Sequence, residues 1–308
     1  MPETLSFFQK FFFSFLLTIL LSGCGETTEK TLSDSAQKVE ANKITVTDDL
    51  GRKLEIPAQP KRVMALSAAM TEMLFAVVPD SLIVARTQVC NFPEAALKKP
   101  VVNSYPLDLE GLLVLKPEII FTEDGITSME TAAKIEQLGI PVYFQKYEKV
   151  TDIFRGLNDI GKIMRRETEA QKLTDSLQTE LNAIENEVKT QELKRALVVI
   201  NTDPIYVYGR NTLMTDKLEK AGGQNALQEN FPQQSPQLTR EYVLQLNPGF
   251  IFGISQVQNE AFFRLYPELK KVDAYKNKRI FNLNDDLAAR PSPRVVESVR
   301  EIRNYLQK

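Results

Sequence analysis

Histidine is missing from all 308 residues. With it go the usual general base near neutral pH, the usual member of a nucleophilic triad and the commonest metal ligand, which argues against hydrolase and zinc-enzyme chemistry. Tryptophan is missing too, so any aromatic pocket must be built from Tyr and Phe. Phe is scarcer in the body of the chain than its total of 17 implies, because six fall within residues 7–15. Positive charge is not in excess: the formal net charge is −2, so nothing marks nucleic acid as a partner. The one long apolar run, FFFSFLLTILL at residues 11–21, is too short to span a bilayer comfortably.

What remains is an ordinary globular composition, 43% hydrophobic and 25% charged, in a length that suggests two domains. The apolar run follows Lys10 and exits through Ser22, Gly23 and Cys24, as a secretory signal segment does. LSGC resembles the bacterial lipobox, which implies a signal peptide over 1–23, cleavage before Cys24 and lipid on its sulfur; an ordinary signal peptide with an incidental Cys is the alternative. If Cys24 is lipidated, Cys90 is the only thiol left and no intramolecular disulfide can form. Residues 26–42 are polar and complete, with Cys24, an expected flexible tether over 24–42.

From residue 43 short β-branched runs alternate with amphipathic segments, the pattern of an α/β chain. Strands are expected at 62–66, 82–85, 118–121 and 141–144, with helices at 71–78, 108–115 and 128–138, the last closed by Gly139 before Pro141. These make an N-terminal lobe, 43–149. Residues 150–190 lack Pro and carry two successive helical faces, Ile153, Leu157, Ile160 and Met164, then Leu173, Leu177, Leu181, Ile184 and Val188; Thr168 with Gln171 suggests a capping box between them. A helix of about 20 residues reaches roughly 30 Å, enough to join two lobes. A second strand series follows at 195–201, 204–209, 249–253 and 279–283, with a closing helix at 293–307, giving a C-terminal lobe over 191–308.

The lobes share a repeat. DLEGLLVLKPEIIFT at 108–122 aligns without gaps to TREYVLQLNPGFIFG at 239–253, with six identities at a constant offset of 131, among them Glu110 with Glu241 and Pro117 with Pro248. Each copy reads as a short helix, a Pro-punctuated turn and a buried strand, so the lobes are expected to be structural duplicates.

The order and spacing of ITVTDDLGRKLEIPAQPKRVMALS, SAAMTEMLF, LVLKPEIIF, GRNTLMTDKLEKAGGQNAL and KNKRIFNLNDDLAARPSPRVVES resemble the class III periplasmic binding proteins that serve cobalamin, ferric siderophore and haem importers. The resemblance covers 43–308. It implies two α/β lobes joined by a single long helix, a ligand cleft between them and small hinge motions. It implies a binding protein rather than an enzyme, on the periplasmic side of a membrane, whose partner is an ABC permease dimer with its cytoplasmic ATPase. Glu110 and Glu241 match the family's permease-docking positions, one anion per lobe for a two-fold transporter. Both also fall in the first turn of a helix, where the macrodipole favours an anion in any case.

In cobalamin-binding relatives the loops at strand ends carry an Asp-Tyr-Pro turn, an aromatic residue, and an Asp and Arg four residues apart. Phe92, Tyr105, Asp286 and Arg290 match these positions, and Tyr206, Tyr208 and Arg210 lie in a loop of the same set. The implied ligand is a corrinoid, whose apolar disc and amide fringe Tyr, Phe, Asp and Arg can meet. Ferric siderophores are the alternative, because Arg86, Arg210 and Arg290 could surround an anionic chelate; haem stands behind both for want of His. No resident cofactor and no protein metal site is expected, since the metal arrives with the ligand. A carboxylate-only enzyme on the two-lobed plan of some chelatases is the competing class.

Overall fold

The computed structural model describes residues 43–308. The signal segment, Cys24 and the tether lie outside the described residues.

The first element is one the sequence reading left unassigned: an antiparallel hairpin of β1 (Lys43–Thr47) and β2 (Lys53–Pro57). Asp48 builds its turn, accepting from the backbone N–H of Leu50 and Arg52 at 3.0 and 2.9 Å and from the Arg52 side chain at 2.8 Å. Next come β3 (Val63–Ala65), α1 (Ala68–Val77), α2 (Leu109–Leu115), β4 (Ile119–Glu123), α3 (Met129–Glu136) and β5 (Val142–Gln145). The strands pair in parallel in the order β3-β4-β5 and are buried along their length, as continuous apolar runs in a parallel sheet should be. Residues 82–85, expected as a strand, contribute only a bridge from Ile83 to Val63. The N–H groups of Leu82 and Ile83 are spent on the Pro79 and Asp80 carbonyls in a tight turn, and the pairing is limited to one bond, from the Val84 N–H to the Val63 carbonyl at 2.9 Å.

Two helices follow, α4 (Val150–Met164) and α5 (Glu167–Val188), the second 22 residues long. The Thr168/Gln171 capping box does not form. The chain breaks at Arg165 in the left-handed region, Arg166 is the N-cap without a side-chain bond, and Gln171 donates instead to Asp175 one turn on. Gly161 makes the tight reversal possible, because a Cβ there would lie 2.6 Å from that of Ala170.

The second half holds β6 (Lys194–Thr202), β7 (Ile205–Val207), α6 (Leu213–Lys220), β8 (Gly223–Asn225), α7 (Arg240–Leu246), β9 (Phe250–Phe252), α8 (Gln256–Leu265), α9 (Asp273–Lys276), β10 (Ile280–Phe281), α10 (Asp285–Ala289) and α11 (Val295–Leu306). Strand β6 is central, parallel to β8 and β9, while β7 returns antiparallel on it.

The repeat holds in three dimensions. Asp108 and Thr239 are the N-caps, Lys116 and Asn247 close the helices in the left-handed region at φ 46° and 42°, and β4 and β9 begin at Ile119 and Phe250, each pair 131 residues apart. Side-chain alternation then sorts both strands alike. Ile119 and Phe121, with Phe250 and Phe252, enter one apolar cluster that also takes Leu157, Leu177 and Leu181 from α4 and α5. Ile120 and Ile251 face separate outer cores. The helices therefore share a core with both sheets, and wide separation of the lobes would expose it at about 25 cal/mol per Å².

Candidate functional site

A cleft of about 350 Å³ opens where the strands end, as the rule for open parallel sheets places it. One wall is Glu123 at the end of β4 and Asp124, Gly125 and Ile126 after it, with Tyr147 after β5; the other is Tyr208, Thr212 to Met214, Ser235, Ala288 and Pro291. Its volume is at the lower end of the roughly 300–1,000 Å³ common for small-molecule sites, so a macrocyclic ligand would project from it.

The expected residues fall into three groups. Tyr208 lines the cleft, and burial, helped by Asp285, raises its pKa. Asp286 and Arg290 are at hand on and just after α10, and their charges meet at 2.5 Å. They also reach across to the CNFP loop, where Arg290 donates to Asn91 Oδ1 at 2.7 Å and Asn91 Nδ2 to Asp286 at 2.7 Å. Phe92 in that loop, 42% exposed, lies under the Arg294 guanidinium at 4.2 Å from the ring centroid. Tyr105 projects from the next loop at 88% exposure, and Gln88 spans to it with bonds to the Ser104 N–H and the Tyr105 carbonyl. Tyr206 and Arg210 stand outside the cleft lining. Tyr206 bridges Gln237 on β7, while Arg210 donates to the Gln228 carbonyl in a separate depression shared with Glu148 and Phe231.

Of the three arginines suggested for an anionic ligand, only Arg290 is ion-paired among the described residues, and none of the three lines the cleft. Arg86 donates to the Thr87 and Cys90 carbonyls of its own loop. Arg210 is held as described. Arg290 has Asp286 on one side and Glu72 at 2.8 Å on the other.

Glu72 is a residue that the sequence reading passed over. It sits on α1 within the apolar run AAMTEMLF, with its side chain 1% exposed, and a lone acid in such a run is the signal that could have found it. Both its oxygens are used: Oε1 accepts from Arg290 at 2.8 Å and Arg294 at 2.6 Å, and Oε2 from Arg294 Nε at 2.8 Å. Donating to Glu72 raises the pKa of Arg294 further. Lys217 was passed over as well. Fully buried, it donates to the carbonyls of Leu287, Ala288 and Arg290 at 2.9, 3.0 and 2.9 Å, and so pins the loop that carries the Asp286/Arg290 pair. Burial, with the charge of Arg294 adding to it and that of Glu72 opposing it, draws its pKa down to about 7. The third is Glu123, 8% exposed in the cleft wall, whose pKa burial pushes up to about 7 despite a hydrogen bond with Ser67 and the charge of Arg290.

The docking candidates sit on exposed first turns of α2 and α7, outside the cleft. Glu241 pairs with Arg240 at 2.8 Å, which lowers its pKa. Among the described residues Glu110 makes no ion pair.

A family model described as periplasmic binding protein matches residues 63–287. An uncharacterized ABC transporter substrate-binding lipoprotein of Bacillus subtilis is 25% identical over 294 residues, covering 93% of each chain. A vitamin B12-binding protein of Yersinia pestis is 26% identical over 254 residues, 81% of this chain and 88% of its own. The crystal structure of a possible iron-binding (periplasmic solute-binding) protein from Staphylococcus epidermidis superposes with a TM-score of 0.74 at 23% identity, over 81% of this chain and 100% of its own. The chain belongs to the periplasmic binding protein family, whose members bind substrates for ABC importers and are not enzymes.

Proposed function

We propose that this ABC-importer binding protein captures a corrinoid outside the cytoplasm, held to the membrane by lipid on Cys24, and presents it to a permease through Glu110 and Glu241. The observation that carries the ligand choice is that none of Arg86, Arg210 and Arg290 lines the cleft, and Arg290 is held by Glu72 and Asp286. A cleft walled by Glu123, Asp124, Tyr147 and Tyr208 suits an uncharged chelate with an amide fringe better than an anionic one. Relatives named for vitamin B12 binding support the same reading. The likeness to a possible iron-binding protein favours a second one, in which the ligand is a ferric complex.

Parallel titrations of the full chain in detergent with cyanocobalamin, ferric siderophores and haem test the ligand. Micromolar or tighter binding of cyanocobalamin is expected. Binding of a ferric siderophore alone would transfer the function to the second reading. Docking is tested separately: Glu110→Ala with Glu241→Ala should impair uptake and leave ligand affinity unchanged, since rim charges govern association rather than the carrier's own site.

A further inference from the structure

Glu123 and Gln145 are register partners at the ends of β4 and β5, yet they are treated differently. Gln145 is sealed and satisfied within the protein, donating to the Gly156 carbonyl at 3.0 Å and accepting from the Tyr147 hydroxyl. Glu123 beside it meets Ser67 and opens onto the cleft, and among the described residues it makes no ion pair within 4 Å. Arg290, the cation whose field reaches it, is already shared between Glu72 and Asp286. The other titratable groups around it give no compensating charge: Asp124, the next residue in the turn after β4, is another acid, and Tyr147 and Tyr208 face it as neutral phenols with raised pKa values. Lys217 is spent on carbonyls beneath the opposite wall. A carboxyl so placed is expensive to keep ionised and unpaired, and a purely structural role at this position would be met at lower cost by the amide found next door.

We propose that Glu123 is the residue through which the cleft selects ligand charge, donating as a neutral carboxyl to a carbonyl of an uncharged chelate and repelling an anionic one as a carboxylate. This rests on the importer reading and deepens its ligand class, and it holds for any uncharged chelate, corrinoid or ferric.

The experiment uses the full chain in detergent with three probes: cyanocobalamin, a neutral ferric tris-hydroxamate and a trianionic ferric tris-catecholate, titrated from pH 5.5 to 8.5 against wild type and Glu123→Gln. Gln keeps a donor, does not titrate and resembles the protonated side chain, so the variant should fold. The neutral probe that binds is expected to weaken above about pH 7, by up to about ten-fold per pH unit, and Glu123→Gln should flatten that profile. The catecholate should bind poorly and gain in the variant at pH 8. A role confined to folding would shift stability with pH and leave the binding profile alone. Failure of cyanocobalamin with a titrating hydroxamate would overturn the corrinoid reading and uphold this one. Tighter binding of the catecholate than of both neutral probes, no binding of either neutral probe, or a wild-type profile that Glu123→Gln leaves unchanged would overturn the proposal.

Discussion

Truncating Glu72 to Ala should be among the most destabilising single changes in the protein. Its carboxylate is 1% exposed and its two partners are 14% and 16% exposed, so all three charges have left most of their water. Removing one member of such a set costs about 3–5 kcal/mol, chiefly because the remaining charges stay buried without compensation. The two arginines do not suffer equally. Arg290 retains Asp286 and Asn91, whereas Arg294 is left with the face of Phe92. A double-mutant cycle should therefore give stronger coupling of Glu72 to Arg294 than to Arg290, within the 0.5–3 kcal/mol typical of contacting pairs. Urea unfolding of the single and double variants supplies the numbers, with cyanocobalamin titration of the folded fractions beside it. Because Glu72 lies on α1 and both arginines follow α10, the variant should also loosen amide protection in the CNFP loop and in residues 285–294. A loss below about 1 kcal/mol with no coupling would refute the reasoning and reduce the cluster to a surface ornament. Arg290→Ala run in the same series tells bracing from ligand contact: bracing lowers stability and spares affinity, contact does the reverse.

Lys217→Met should cost about 2 kcal/mol, since three partly buried carbonyls lose their donor, and hydrogen exchange should quicken first at residues 287–290. Glu123 makes stability fall as pH rises: its folded pKa of about 7 stands above the 4.5 of the free group, so the folded chain holds a proton that the unfolded chain has shed. The loss, roughly 3 kcal/mol at about 1.36 kcal/mol per pH unit, should run between about pH 4.5 and 7, and melts of Glu123→Gln should lack it. Gly253→Ala should cost about 2 kcal/mol or more, because its φ is +87° and a Cβ would come within 2.1 Å of the Val199 carbonyl oxygen. Gly125→Ala, at φ +84° with open space around it, is the matched control for the backbone penalty alone. Cys24→Ser should abolish lipid labelling and release the protein from membranes, or leave its precursor unprocessed; unchanged labelled membrane protein would defeat the anchor.

Local signals in the sequence determined the two α/β series and the duplicated helix-turn-strand unit, because each depends on periodicity and punctuation within a few residues. The offset of 131 carried through to caps, left-handed closures and strand starts for that reason. Signals that depend on what an element packs against were not legible. Thr168 and Gln171 have the spacing of a capping box, but the reversal at Arg165 and the Gly161/Ala170 contact decide where α5 begins. Residues 82–85 have strand composition, but the preceding turn consumes the amides of Leu82 and Ile83. The site divides in the same way. The resemblance to cobalamin-binding relatives pointed to Phe92, Tyr105, Asp286 and Arg290, whereas the pairing of Arg290 with Glu72 joins residues 218 apart and exists only once both lobes fold onto one core. Whether an arginine faces a ligand or a buried carboxylate is fixed by which charges the fold desolvates together, and that is a property of the tertiary structure alone.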